Sequence, residues 1–386
     1  MNANPWRGLF PVTQHWVHLN HAGVSPISLR VRDAVVAFLE DALRIDEARN
    51  QRWEQRSEEV RALCAQLIGA RADEIAFVKN TSEGLSLVAF GFPWKRGDNV
   101  ITVDKEYPSN VYPWFALHRY GVETRLVPRR NGRVSPDEVL AAADRHTRVL
   151  TVSFVDWLTG ARNDLAALSE LCRERNWLFC VDGIQGVGAV PFNVEELGVD
   201  CLAVGGHKWL LAPEGCGFLY VSKRVVDRIE SVLQGWKSVE NPESFLPYHF
   251  GARPDALKFE PGSPPHLGIH ALGAAVELLL EVSIGEVWRR IRFLTDYLVE
   301  GLLSLGADIV SPWGDGERSG IVVFRLGATP EQLVQQLIAQ GFIVRVRDGG
   351  IRVAPHFYND IEDIDRFIAA LRRVGAGSEP TPTSLP

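Results

Sequence analysis

The stretch Val204-Gly205-Gly206-His207-Lys208-Trp209, read with Leu178-Phe179-Cys180-Val181-Asp182 upstream of it, decides the reading of this chain. The apolar run Cys201-Leu202-Ala203-Val204 has the composition of a buried strand, and the two glycines let the backbone leave it through a crowded loop. Lys208 then stands just past the end of one strand, and Asp182 closes another. In an open α/β sheet ligands bind in the crevice beyond the carboxyl ends of the strands, so the two side chains would share that crevice.

Two readings of the pair follow. Lysine and aspartate can form a structural ion pair. Alternatively the amine forms an imine with a cofactor aldehyde while the carboxylate holds a pyridinium nitrogen, which is how pyridoxal phosphate is mounted.

Composition sets the outer limits. At 386 residues the chain is long enough for two domains, or for a large domain carrying a smaller one. A hydrophobic share of 46% with 23% charged residues is that of an ordinary globule, which argues against disorder. The net charge of -7 argues against nucleic acid as a partner. No run approaches the roughly 20 apolar residues of a membrane helix. Met1-Asn2-Ala3-Asn4-Pro5 is unlike a signal peptide, so no membrane partner and a cytoplasmic location are expected. Cys64, Cys172, Cys180, Cys201 and Cys216 lie mostly inside apolar runs and form no CxxC pair. They read as reduced core residues, with no metal site and no disulfide frame.

Outward from the centre, the pattern alternates. His18-Leu19-Asn20-His21-Ala22-Gly23-Val24-Ser25-Pro26 is a loop punctuated by Gly and Pro, which either serves a site or is a plain turn. Leu29 to about Gly69 keeps a helical period and reads as one long or broken amphipathic helix pair. Glu74 to Lys79 is a short strand, followed by Asn80-Thr81-Ser82-Glu83-Gly84 and an apolar helix from Leu85 to Phe90. Thr81 or Ser82 can cap that helix, whose free amides would make an anion site.

Strands are expected at Asn99–Val103, Glu123–Val127, Arg148–Val155, Leu178–Val181, Cys201–Val204 and Gly217–Val221, with a helix over Leu165–Asn176. Strands apolar throughout and spaced by helices predict an α/β fold with a mostly parallel sheet covered on both faces. The last two strands, joined by Pro213-Glu214-Gly215, should form an antiparallel edge. Residues 234–265 form a long loop rich in Gly, Pro and aromatics. Helices at about 266–282 and 286–305, a strand at Ile321–Leu326, a helix at Pro330–Gln340, a hairpin over Phe342–Val353 and a last helix at Ile361–Val374 fit a smaller α+β domain. The expected division is 18–265 for the large domain, 1–17 with 266–375 for the small one, and a disordered tail over 376–386.

This order of elements resembles the class V aminotransferases, fold type I pyridoxal-phosphate enzymes that include cysteine desulfurases and isopenicillin N epimerase. The resemblance rests on Val181-Asp182-Gly183-Ile184-Gln185-Gly186-Val187-Gly188-Ala189, then Gly206-His207-Lys208, then Gly215-Cys216-Gly217-Phe218-Leu219-Tyr220-Val221. It implies pyridoxal 5'-phosphate as cofactor, with Lys208 as the imine-forming residue and Asp182 as the partner of the ring nitrogen. Gln185 is similar to the residue that bonds the ring oxygen. Thr81, Ser82 and His207 match the phosphate cup, and Ser263 resembles a hydroxyl that reaches the phosphate from the other subunit of a homodimer.

Tyr107 stands where desulfurases stack a histidine on the ring, and Arg352 matches the arginine that grips the substrate α-carboxylate. Asn20 and His21 join it as substrate-side candidates, and Arg345 and Arg347 are candidates for a second anion contact. Tyr107, His21 and His356 are the possible second acids that an epimerase would need.

The departures are as informative. No cysteine follows Cys216, and the segment between Arg345 and Arg352 is only Val346-Arg347-Asp348-Gly349-Gly350-Ile351, without the desulfurase thiol. Trp157 replaces a common asparagine, and Gly205 a common serine. The resemblance therefore implies an enzyme acting on the α-carbon of an amino acid through an imine at Lys208. An aminotransferase is the first reading, an epimerase or carbon-sulfur lyase the second, and a non-catalytic binding protein of the same fold the alternative from another class.

Overall fold

The computed structural model describes residues 4–376 apart from Ile45 and Ala328. Strand β1 (Val17–His18) leads to helices α1 (Leu29–Arg44) and α2 (Arg49–Ile68), the broken pair that the periodicity predicts. Gly69, at φ 69°, stops α2 in the left-handed conformation that glycine adopts without strain. There follow β2 (Ile75–Val78), α3 (Thr81–Gly91), β3 (Asn99–Val103), α4 (Tyr112–Phe115), β4 (Glu123–Val127), α5 (Pro136–Ala142), β5 (Thr147–Ser153), α6 (Leu165–Arg175), β6 (Leu178–Asp182), β7 (Cys201–Gly205) and β8 (Gly217–Val221). The short helices α4 and α5 were not expected: each carries a proline in its first turn, but at four and seven residues neither is long enough to show a helical period.

These strands form a seven-stranded sheet in the order β2-β8-β7-β6-β5-β3-β4. All neighbours run parallel except β8, which is antiparallel to both β7 and β2. The expected antiparallel edge is thus corrected: β2 pairs outside β8, and the true edges are β2 and β4. The chain proceeds from β3 outward to β4 in one direction and from β5 to β6 and β7 in the other. A crevice opens at such a switch, beyond the carboxyl ends of the strands. The segments leaving β3, β5, β6 and β7 carry Tyr107, Trp157, Asp182 and Lys208 toward it.

The second half contains α7 (His266–Val282), α8 (Ile284–Ser304), β9 (Asp308–Ile309), β10 (Val322–Arg325), α9 (Pro330–Ala339), β11 (Phe342–Ile343), β12 (Arg345–Arg347), β13 (Gly350–Val353) and α10 (Ile361–Ala376). A four-stranded antiparallel sheet has the order β12-β13-β10-β9, and β1 pairs in parallel with β11. Helix α7 packs on α1 and α2, and its buried Ile269, Leu272, Val276 and Leu279 join the core under the large sheet. Helix α8 bridges two clusters: Val287 and Ile291 belong to that core, while Leu294, Leu298 and Leu302 pack with β10, α9 and α10 in a second one. The tail expected over 376–386 lies outside the described residues except for Ala376 at the end of α10. Among the described residues no single helix is long and apolar enough to cross a membrane.

The long loop before α7 is anchored by one buried ion pair. Arg61 of α2 donates to Glu260 at 2.6 and 3.2 Å and to the Ile75 carbonyl at 2.9 Å, while Glu260 also accepts from the Phe77 amide at 2.7 Å. Glu260→Ala strands the guanidinium in the interior. Breaking such a pair costs about 3–5 kcal/mol, and the low end is expected because Glu58 still reaches Arg61. Denaturant unfolding reads the loss; a change under about 1 kcal/mol, the worth of an exposed pair, would show that this contact does not anchor the loop.

Candidate active site

Strand pairing sets the geometry of the crevice. Asp182 ends β6 opposite Ser153 of β5 and Ala203 of β7, and Gly205 at the end of β7 opposes Gly217. Asp182 is buried, and its Oδ1 accepts from the Ile184 amide at 3.0 Å. Burial pushes its carboxyl up to about 6, against the pull of that hydrogen bond and of Lys208. Lys208 is 8% exposed; burial brings its amine down to about 8, with Asp182 opposing and Arg352 and Arg347 adding to the fall. No direct ion pair joins amine and carboxylate. The structural ion pair is therefore not what the two residues form, and each charge is left in need of another partner.

The walls come from the neighbouring segments. The Lys208 Nζ lies 5.3 Å from the centre of the Tyr107 ring, which meets Trp157 edge to face at 5.3 Å. Asp156 pins the turn that carries Trp157: it accepts from the Leu158 and Thr159 amides at 3.1 Å each and pairs with Arg129. The Trp157 indole donates to the Lys105 carbonyl at 3.0 Å, tying the segments after β3 and β5 together.

Arg352 of β13 is fully buried and, among the described residues, has no carboxylate partner. It donates to the Trp157 carbonyl at 3.0 Å and to Asn20 Oδ1 at 3.3 Å, and its Nε is unpaired. Burial, with Arg347 nearby, brings it down to about 9. Asn20 is held there by a bridge to Ala354.

Three expectations change. The cap of α3 is Asn80, whose side chain accepts from the Glu83 amide at 2.9 Å. The Asn80-x-x-Glu83 spacing of a capping box was the signal for it. Thr81 and Ser82 are instead the first helical residues. His21 does not face the crevice. It is wholly buried, with Nδ1 on the Ala354 carbonyl and Nε2 on the Tyr358 hydroxyl, both at 2.7 Å. His356 is likewise enclosed, between the Trp209 carbonyl and the Phe357 amide. Neither has a free ring nitrogen.

Gln185 donates to the Ala22 carbonyl at 3.0 Å and accepts from the Trp209 indole at 3.1 Å, leaving one amide hydrogen. Ser263 is not gathered with Lys208; it lines a 730 Å³ surface cavity with Trp53, Arg61 and Trp236 and a second cleft with Lys79 and Glu83. Sequence reading missed Glu106, whose carboxylate accepts from the amide and hydroxyl of Ser153 and which burial pushes up to about 7. Nothing in its local sequence marks it.

One corner of the crevice is shaped for an anion. Thr81 Oγ1 is buried without a partner, and the amides of Thr81 and Ser82 donate to no protein group among the described residues. A Cβ on Gly205 would come within 3.2 Å of that hydroxyl, 3.4 Å of His207 Cε1 and 3.0 Å of Ile184. A side chain there would fill the space between helix start and histidine. An orphaned hydroxyl and open amides at a helix N-terminus suit a phosphate, and an amine near 8 with a buried carboxylate suits an aldehyde and a protonated ring nitrogen. The residues fit pyridoxal 5'-phosphate, and with this sheet they define a fold type I enzyme of that cofactor.

Comparison with known proteins gives the family. The model of the Aminotransferase class-V family matches residues 17–367, and the chain belongs to this pyridoxal-phosphate-dependent family. A probable cysteine desulfurase of Methanothermobacter thermautotrophicus is 28% identical over 401 residues, covering 97% of this chain and 98% of its own. The uncharacterized aminotransferase YcbU of Bacillus subtilis is 26% identical over 366 residues, covering 94% and 95%. Among solved structures, the apo cysteine desulfurase of Thermococcus onnurineus NA1 superposes with a TM-score of 0.88 at 25% identity, over 96% of this chain and 97% of its own.

The electrostatics yield a test. In the cofactor-free protein the Lys208 amine should titrate near 8. Because Asp182 is the charge that holds the ammonium form, Asp182→Asn should move the midpoint lower. Competitive labelling of Lys208 across pH, read by mass spectrometry, measures both; an unchanged or raised midpoint would mean that the two groups are not coupled.

Proposed function

We propose that the chain is an aminotransferase acting on an amino acid, with Lys208 as the cofactor-bearing lysine and its catalytic base. The observation that carries the reading is Arg352, a buried guanidinium with no carboxylate of its own, close enough to depress Lys208. Only an anionic ligand completes such a group, and its planar fork matches a carboxylate. Asn20 Oδ1 and the Trp157 carbonyl hold the fork in place.

Pyridoxal phosphate supplies an aldehyde and an electron-withdrawing ring that acidifies the substrate α-carbon. Thr81, Ser82, the α3 amides and His207 bind its phosphate. Asp182 holds a proton on the ring nitrogen, for which a buried carboxyl near 6 is suited. Tyr107 offers a flat face beside Lys208, and the remaining amide hydrogen of Gln185 is available to the ring oxygen. With its ordinary value brought down to about 8, the Lys208 amine is partly unprotonated near neutrality and can move the α-proton.

Two further features favour transamination. Epimerisation needs a second acid, and the ring nitrogens of His21 and His356 are both engaged, which leaves Tyr107 alone. A persulfide mechanism needs an accessible thiolate. All five cysteines are buried, and burial raises the thiols of Cys64, Cys172, Cys180 and Cys201, and that of Cys216 to about 12. We therefore read the chain as distinct in activity from cysteine desulfurases, and the unpaired cysteines fit a reducing, cytoplasmic setting.

We further propose a homodimer in which Ser263 serves the partner's phosphate. Leu246, Tyr248 and Phe250, exposed at 72%, 90% and 75%, are apolar side chains on the same loop that a second copy would cover.

Stoichiometric keto-acid release from a single L-amino acid, one per cofactor without an amino acceptor, is expected. Catalytic pyruvate and ammonia would indicate elimination instead. Borohydride should fix the pyridoxyl group on Lys208 in the native protein and not in Lys208→Ala. Arg352→Ala should lower kcat/KM on the order of 100-fold, the worth of a lost charge-assisted bond pair. A colourless protein with added cofactor would sink the whole reading.

A further inference from the structure

Three arginines share one face of a hairpin. In the β12–β13 ladder Arg345 opposes Arg352, and Arg347 opposes Gly350. Opposed positions project to the same side of a sheet. Val323 of β10 faces Arg352 on that side and packs into the core of the large domain, whereas Ile351 and Val353 pack into the small one. The arginine face is therefore the one turned to the crevice. Like charges opposed across a ladder repel, yet among the described residues none of the three has an acidic partner.

Arg347 is the second one at the site. It is half-buried, its Nε is buried without a partner, and its Nη1 donates only to the Val346 carbonyl at 2.9 Å. Its guanidinium lies 5.7 Å from the centre of the Trp157 ring, the residue whose carbonyl receives Arg352. The two guanidiniums thus flank one tryptophan, from diagonal positions whose spacing is roughly 7–8 Å. Arg345 is exposed and stands outside this arrangement.

Resting on the amino-acid reading above, we propose that the substrate is an acidic amino acid, with Arg352 receiving its α-carboxylate and Arg347 its side-chain carboxylate. A neutral side chain would leave the Arg347 Nε buried and unanswered. A second carboxylate satisfies it and relieves the repulsion between the two arginines.

The test is calorimetric titration of the cofactor-loaded enzyme with succinate and with butyrate, which has the same carbon count and one carboxylate. Succinate should bind about tenfold tighter or more, the worth of one added charge-assisted bond pair. Arg347→Met should erase that preference while keeping butyrate affinity and cofactor absorbance, and Arg345→Met should retain it. Equal binding by the native enzyme, a preference surviving Arg347→Met, or one lost only in Arg345→Met would each overturn the assignment. Such a result with keto acid still released from an L-amino acid would leave the broader reading standing. Absence of keto acid from every L-amino acid would overturn both.

Discussion

Lys208 and Asp182 are taken out of water without being allowed to touch. That constraint organises the crevice. A buried amine and a buried carboxyl in contact would repay much of each other's desolvation. Held apart, they instead drift toward neutrality, to about 8 and about 6. The fold gives up stability here, and the large cores on both faces of the sheet make that tolerable. The neighbouring groups deepen the imbalance. Lys208, Arg347 and Arg352 outnumber Asp182 and Glu106 around the same space, and His207, whose imidazole burial and Lys208 push down, adds no anion, so the crevice carries an excess of positive charge. A phosphate and a carboxylate answer that excess, which links the binding of cofactor and of substrate to one electrostatic cause.

Much of this was legible in the sequence because the relevant signals are local. The strands from Asn99–Val103 to Gly217–Val221 are apolar throughout, and a buried parallel strand reads that way. Lys208 and Asp182 were found because each ends such a run. The antiparallel pairing of β7 and β8 was legible from their short connection, but the position of β2 beyond β8 was not. Pairing across well over a hundred residues leaves no mark in either strand.

The site residues that misled did so for the same reason. His21 sits in a loop whose composition suggested a site, yet its partners are Ala354 and Tyr358, more than three hundred positions away. Those contacts tie the N-terminal strand to the end of β13 and hold Asn20 against Arg352. His21 thus belongs to the scaffold of the crevice. Glu106 was missed because only its burial and its bonds to Ser153 distinguish it from a surface glutamate. Arg352 was recognised by resemblance alone; its meaning in physical terms, a buried cation without an anion, required the fold.

The hairpin turn decides what reaches the crevice mouth. Asp348 and Gly349 have φ of 46° and 69°, positive at both central positions as a two-residue primed turn requires. A turn of that kind fixes register, so Arg345 must face Arg352 and Arg347 must face Gly350. Gly350 is required as well, since a Cβ there would come within 2.9 Å of Val323 and 3.0 Å of the Phe324 carbonyl. The side chains offered at this edge are consequently guanidiniums on stiff strand positions, with no long loop to carry a mobile nucleophile inward. Binding an anion in a defined pose needs rigid donors, whereas delivering a thiol to a substrate atom needs reach. On the proposed reading, the shortness of this turn is what directs a shared fold toward gripping its substrate at two charged ends.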